Sequence, residues 1–191
     1  MGDIAMSANT AASQLDGIVY NIGNAISMSC MSFIGQNVGA RRMDRVKRVI
    51  FCGILLALML QFTAGLIFTL FAPQLCSIIV SGSEAIEKAA IRLSILGSFY
   101  FLCGIMEVLS YSMRAMGKPI VSFVISVMGA TVFRIIFMEV ALTIWPGYAT
   151  IYWAYPASWL FTISMLSIFL VRVYKDLKIK LQEKQVGTGI C

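Results

Sequence analysis

The chain has 191 residues, of which 59% are hydrophobic and only 13% are charged, and its formal net charge is +6. Soluble domains carry about 25% charged residues, so this composition excludes a soluble domain and indicates an integral membrane protein. The sequence contains no histidine, which removes the commonest metal ligand and the commonest general base. Its five cysteines show no CxxC spacing, so neither a zinc site nor a disulfide framework is indicated.

Five apolar stretches are long enough to cross a bilayer as helices, which takes about 20 residues each. Transmembrane strands are short and alternate in polarity, and these stretches do neither. A helix also satisfies its own backbone groups in lipid. The sequence therefore predicts an all-α membrane protein of about five transmembrane helices. The predicted spans cover residues 13–39, 49–71, 93–113, 120–144 and 149–171, followed by a polar tail at 172–191.

The first span is the most polar of the five, with Asn24 near its centre. Such a helix is not expected to lie freely in lipid, so it faces either other helices or a cavity, and the sequence leaves both open. Asn24 is accordingly a candidate cavity residue. The polar side chains of this span are Asn21, Asn24, Ser27, Ser29, Ser32 and Gln36.

The third span contains a glutamate, Glu107, inside the stretch GIMEVLSYSMRAMGKP. Ionisable residues in membrane spans are rare and usually functional. A carboxylate there can take up and release a proton or coordinate a sodium ion, and the alternative is that it only hydrogen-bonds two helices together. Residues at helical spacing from it are small or polar, whereas the opposite face is apolar, so Glu107 is predicted to face protein or a cavity. These neighbours are Tyr100, Cys103, Gly104, Ser110, Tyr111 and Arg114, of which the two tyrosines are candidate cavity residues.

The fourth span carries Arg134 and a row of small residues, Ser122, Ser126 and Ala130, at steps of four. Small residues at this spacing allow close helix packing, with a binding site as the alternative. Arg134 is interpreted as a structural anchor that either extends toward the interface or pairs with a carboxylate of another helix.

The fifth span contains the sequence AYPASWL, in which Pro156 is expected to kink the helix. Tyr155 and Trp159 are four residues apart, so they can present their aromatic faces to a cationic ligand. The alternative is that they belong to the core and to an interfacial aromatic belt.

Most of the 15 basic residues lie in three segments, 41–48, 114–118 and 172–184, which five helices place on one side of the membrane. Positive residues favour the cytoplasmic side, so the basic excess indicates topology and not nucleic-acid binding. The C-terminus is predicted to be cytoplasmic and the N-terminus external. An external N-terminus without a signal sequence favours the interpretation that this chain is part of a longer membrane protein.

Five stretches in this order resemble the multidrug and toxic compound extrusion (MATE) family of cation-coupled antiporters. The resemblance covers nearly the whole chain and matches the family's C-terminal lobe from the eighth helix onward. It is carried by ANTAASQLDG (8–17), MSFIGQNVGARRMDRVKR (31–48), GIMEVLSYSMRAMGKP (104–119), SVMGATVFRIIF (126–137) and AYPASWL (154–160).

The resemblance implies that the five helices form most of one lobe of a two-lobe, twelve-helix transporter in the cell membrane. It implies export of cationic or aromatic compounds by alternating access, driven by Na⁺ or H⁺, without enzymatic activity and without a cofactor. Glu107 matches the acidic residue of the C-lobe cation site, where relatives often have aspartate. The expected partners are the bilayer, cationic substrates and an N-terminal lobe outside this chain.

Three other functions stay open at this point. One is a flippase for lipid-linked sugars from the same superfamily. Another is a membrane assembly protein that transports nothing, in which Glu107 only links helices. The third is a glutamate-dependent intramembrane hydrolase.

Overall fold

The computed structural model describes residues 2–187, and within this range the chain is helical without any β-strand. This confirms the all-α prediction. A π-helical turn, Met128–Phe133, joins α5 to α6 without a break. The helices are α1 (Gly2–Gly39), α2 (Met43–Leu70), α3 (Ala72–Ile79), α4 (Ser83–Ala115), α5 (Pro119–Val127), α6 (Arg134–Ile144) and α7 (Tyr148–Gly187).

Five segments of these described helices are long and apolar enough to span a membrane, as the sequence predicts. Several helices extend beyond the apolar runs of the sequence. Helix α4 begins at Ser83, well before residue 93, because Ala85 and Ala89 are already buried against α3 and α1. The five segments are Ala12–Gly39, Met43–Leu70, Ser83–Ala115, Pro119–Ile144 and Thr150–Glu183.

Helix α4 lies at the centre of the bundle and packs against α1, α2, α3, α5 and α7. Glycines bring it close to α2: a methyl group on Gly97 would lie 2.9 Å from the carbonyl oxygen of Gly65. Small residues allow helix backbones to approach in this way within a membrane. The three helices α1, α2 and α4 thus meet tightly around the polar side chains described below.

The connection between α4 and α5 is short and reverses the chain at Gly117. Gly117 has a φ of 81°, a left-handed conformation that favours glycine, and it follows the last turn of α4. Pro119 begins α5 at the first helical position, where its missing N–H costs nothing. This turn carries Arg114 and Lys118, one of the three basic segments of the sequence.

The span formed by α5, the π-helical turn and α6 lies at the edge of the bundle and buries few side chains. Helix α6 has no buried residue, and Ile120, Phe123 and Ile136 are each more than half exposed. An apolar surface of this kind suits lipid tails or another membrane helix.

Candidate functional site

Glu107 projects from α4 toward α1 and is only 5% exposed. Its atom Oε2 is buried and has no hydrogen-bond partner among the described residues. A methyl group on Gly23 of α1 would lie 3.1 Å from this oxygen. The carboxyl group therefore approaches the backbone of α1 through a position that has no side chain.

Gln61 of α2 is fully buried beside Glu107. Its amide group lies between Gly23 of α1 and Gly104 of α4, and a side chain at either glycine would overlap it. The Nε2 atom donates a hydrogen bond to the carbonyl of Val19 at 3.3 Å, whereas the buried Oε1 atom has no donor. The three helices thus enclose a polar notch that holds one amide and one carboxyl group.

The sequence reasoning missed Gln61, because it lies in the most apolar span of the chain. A lone amide within the run LLALMLQFTAGLIF was the available signal, since a polar group in lipid needs a partner. Its burial depends on Gly23 and Gly104, which are distant in sequence and whose proximity only the fold reveals.

Two predicted cavity residues, Asn24 and Tyr111, flank Glu107 on the side of Arg114. The Tyr111 hydroxyl donates to Asn24 Oδ1 at 2.9 Å and so links α4 to α1. The Arg114 guanidinium lies 4.8 Å from the centre of the Tyr111 ring. One turn away on α1, the Tyr20 hydroxyl interacts with the Glu107 carboxyl group. The structure therefore brings Glu107, Asn24 and Tyr111 together, and their roles stay predictions.

A second polar cluster, not predicted from the sequence, joins α1 to α4 around Asp16. Arg92 Nη2 lies 2.6 Å from Asp16 Oδ2, and the Tyr100 hydroxyl donates to the other carboxyl oxygen. Arg92 Nη1 also donates to the Asn9 carbonyl at 2.9 Å and to Ser13 Oγ at 3.0 Å. Asp16 and Arg92 are far apart in sequence, so no local pattern indicates their pairing.

A cavity of about 240 Å³ lies between these two polar clusters. It contains three of the predicted cavity residues, and their rings contact one another. The Trp159 ring centroid lies 6.2 Å from that of Tyr155 and 6.3 Å from that of Tyr100. The cavity is lined by Asp16, Gly17, Tyr20, Gln61, Leu96, Tyr100, Cys103, Tyr155 and Trp159.

Arg134 contacts α7 and forms no ion pair with a carboxylate among the described residues. Its guanidinium carbon lies 4.1 Å from the centre of the Tyr155 ring, and its Nε atom donates to Ser158 Oγ at 3.1 Å. These two contacts link α6 to α7. Among the described residues, Arg134 therefore does not pair with a carboxylate, which was one of the two arrangements considered from the sequence.

Candidate metal ligands do not converge within the described range. No three side chains of the type His, Cys, Asp or Glu lie together there. A monovalent cation at Glu107 would therefore be held by one carboxylate together with neutral oxygen atoms, as in other intramembrane cation sites.

Comparison with known proteins identifies relatives of this chain. A family model described as MatE matches residues 1–139. The chain is 26% identical over 122 residues to a protein named FAD transporter from Shewanella oneidensis, covering 64% of this chain and 27% of that protein. It is 29% identical over 167 residues to the probable multidrug resistance protein YoeA of Bacillus subtilis, covering 84% of this chain and 34% of that protein. The chain thus spans about a third or less of these curated relatives.

Solved structures share the fold. The MATE transporter VcmN of Vibrio cholerae in its bent form superimposes with a TM-score of 0.84 at 17% identity, covering 92% of this chain and 40% of that one. An inward-facing multidrug resistance MATE family transporter superimposes with a TM-score of 0.77 at 18% identity, covering 87% of this chain and 38% of that one. The fold is therefore that of one part of these transporters.

Proposed function

The chain belongs to the MatE family, and from this premise we propose that it is part of a cation-coupled antiporter that exports cationic or aromatic compounds. In this proposal Glu107 binds the coupling ion, Na⁺ or H⁺. The 240 Å³ cavity beside it takes part in binding the exported compound.

The observation that carries this proposal is the buried carboxyl group of Glu107 with one oxygen atom that has no partner. A buried carboxylate is costly unless a counter-charge or a proton accompanies it. The two ion pairs that the described residues form, Lys88–Glu84 and Arg92–Asp16, do not include Glu107. An exchangeable cation at this carboxyl group would supply the missing charge.

The arrangement of the cavity supports exchange between the ion and the exported compound. Tyr20 and Gln61 both line the cavity. Tyr20 also interacts with the Glu107 carboxyl group, and the Gln61 amide lies beside Gly23 together with that carboxyl group. Tyr155 and Trp159 also line the cavity, and aromatic rings attract cations, as the Arg134 guanidinium over the Tyr155 ring illustrates. Coupling requires that each ligand binds the outward-open and inward-open states with different affinity.

Topology is part of the proposal. The basic segments 41–48 and 114–118 and the basic C-terminal tail are assigned to the cytoplasmic side of the cell membrane. The remaining partner is an N-terminal lobe, since the matched part of each relative is only a fraction of its length.

A flavin nucleotide is the second candidate for the exported compound. The first relative described above is named an FAD transporter, and its similarity covers 64% of this chain. The aromatic pair of Tyr155 and Trp159 also suits a flat heteroaromatic ring. Asp16 also lines the cavity, but Arg92 balances its charge, so this carboxylate does not by itself favour a cation over a negatively charged nucleotide.

The test uses the native protein that contains this chain, reconstituted in liposomes. We expect Glu107→Gln to abolish the acceleration of efflux by an opposing gradient of Na⁺ or H⁺, because the neutral amide takes up no proton and supplies no negative charge to balance a sodium ion. Glu139→Gln makes the same chemical change at an exposed position of α6 and is expected to keep the acceleration. A normal coupled rate in Glu107→Gln would overturn the proposal.

Substrate class is tested in the same liposomes with two probes. Tetraphenylphosphonium is an aromatic cation, and FAD is an anionic flavin. Gradient-driven movement of tetraphenylphosphonium without movement of FAD supports export of cations. The opposite result would assign the protein to flavin transport and leave Glu107 as its coupling residue.

A further inference from the structure

Gln61 is the most unusual polar residue of the bundle, because it is fully buried within the most apolar span. An amide without its full set of hydrogen bonds is costly in a membrane interior. Two glycines, Gly23 and Gly104, leave the space that holds it. The molecule therefore accommodates a polar group at a place where leucine would cost less.

Two buried oxygen atoms without donors lie close to the glycines of this region, and they belong to two different helices, α2 and α4. Gln61 Oε1 and Glu107 Oε2 are both buried and both lack a hydrogen-bond partner. A methyl group on Gly23 would lie 3.1 Å from Glu107 Oε2 and would overlap Gln61 Nε2, whereas Gln61 Oε1 lies toward Gly104. Hard cations prefer oxygen ligands, so a cation beside Glu107 would satisfy both atoms if the Gln61 amide rotated by half a turn.

We propose that Gln61 is a second ligand of the cation at Glu107 and that its amide group turns over when sodium binds. This inference rests on the proposed function of Glu107. Without sodium, Nε2 donates to the Val19 carbonyl, as the structure shows. With sodium, a half-turn of the amide directs Oε1 to the ion.

The half-turn places two acceptors, Gln61 Oε1 and the Val19 carbonyl, next to each other. Two acceptors repel unless a donor or a cation lies between them. A sodium ion there is coordinated by these two oxygens and by the Glu107 carboxylate. Amide turnover is thus favourable only with the ion bound, which couples sodium occupancy to the contact between α2 and α1.

The ligand set also discriminates between sodium and a proton. A proton needs one oxygen atom of Glu107, whereas a sodium ion needs several oxygens in place of its water shell. Protonation of Glu107 does not require Gln61, so replacing Gln61 is not expected to abolish it. The geometry therefore assigns Gln61 to sodium binding specifically.

The test measures binding of radioactive ²²Na⁺ to the native protein that contains this chain, purified in detergent. We expect Gln61→Leu to weaken sodium binding by at least roughly 10- to 100-fold, because losing even a residue that only supports a metal ligand has an effect of this size. Gln74→Leu makes the same change at an exposed position of α3 and is expected to bind sodium normally. The helix content and the monodisperse elution of both variants in sodium-free buffer are expected to match those of the unmodified protein, which a general structural defect would not allow.

Two results would overturn the inference: sodium affinity of Gln61→Leu equal to that of the unmodified protein, or no saturable sodium binding by the unmodified protein. If Gln61→Leu does not yield folded protein, Gln61→Met, which is unbranched and also lacks the amide, takes its place with the same expectation. Measuring coupled efflux of the Glu107→Gln variant separates the proposed role of Glu107 from that of Gln61. If Glu107→Gln is uncoupled and Gln61→Leu binds sodium normally, only the role of Gln61 fails.

Discussion

Two carboxyl groups of the same bundle, the partly buried Asp16 and the buried Glu107, have opposite surroundings. Asp16 is held by Arg92 at 2.6 Å and by the Tyr100 hydroxyl, so its charge is balanced within the chain. Glu107 is more deeply buried, yet one of its oxygens has no partner. The cation that acts on it electrostatically, Arg114, lies seven residues away near the end of α4.

This difference separates a structural acid from an exchangeable one. A fixed guanidinium makes Asp16 a permanent link between α1 and α4. Glu107 faces a notch in which the described residues supply no ion-pair partner, which is the arrangement that the proposed exchange of a mobile ion requires. A functional membrane acid is therefore recognised by the absence of a permanent partner more than by its burial.

The largest expected effect comes from removing the fixed partner of Asp16. Arg92→Leu leaves the partly buried Asp16 carboxylate without its cation, and we expect the free energy of unfolding to fall by up to about 3–5 kcal/mol. The measurement is denaturant or thermal unfolding of the native protein in detergent. Lys88→Leu breaks an exposed ion pair one turn earlier on α4 and is expected to have only a small effect. Equal losses in the two variants would mean that Asp16 does not depend on Arg92.

A smaller effect on the free energy of unfolding is expected when the tyrosine hydroxyl groups of the two polar clusters are removed. Tyr100→Phe removes a hydrogen bond to a charged acceptor, Asp16, and should lower the free energy of unfolding by about 1.5–3 kcal/mol. Tyr111→Phe removes a hydrogen bond to a neutral acceptor, Asn24, and should cost about 0.5–1.5 kcal/mol. The same unfolding assay compares them. If the free energy of unfolding fell more in Tyr111→Phe than in Tyr100→Phe, the assignment of a charged acceptor to Tyr100 and a neutral one to Tyr111 would be wrong.

The smallest effect on stability is expected at Glu107, the acid that we propose binds the coupling ion. Glu107→Gln removes a charge without a fixed partner, so in sodium-free buffer we expect unchanged or slightly higher stability. Asp16→Asn, the equivalent change in the other cluster, should destabilise because Arg92 is then left without its counter-charge. Destabilisation by Glu107→Gln comparable to that of Asp16→Asn would indicate that Glu107 is a structural link between helices.

The five spans and the face of Glu107 could be predicted, because both depend on local sequence. Apolar runs of sufficient length fix the spans, and helical periodicity places Glu107 opposite the lipid-facing residues. The same periodicity placed Tyr111 on the inner face, and the structure adds its bond to Asn24.

Gln61 and the pair of Asp16 and Arg92 could not be predicted, because their partners come from other helices. The burial of Gln61 is decided by glycines of α1 and α4, and by sequence alone it lies in a lipid-like run. Arg92 precedes the apolar run of the third span, so its place inside the bundle follows only from the early start of α4. The contact of Arg134 could not be predicted for the same reason, because the Tyr155 ring that it contacts lies on a separate helix.

The π-helical turn at Met128–Phe133 determines the direction, about the helix axis, in which the later side chains of the fourth span project. A π turn behaves as an α-helix with one residue inserted, and one residue corresponds to about 100° of rotation at 3.6 residues per turn. Gly129, within this turn, packs against Thr162 of α7, where a larger side chain would overlap. Deleting a single residue from this turn would therefore leave the span long enough for the membrane, yet swing Arg134 away from Tyr155 and toward the lipid.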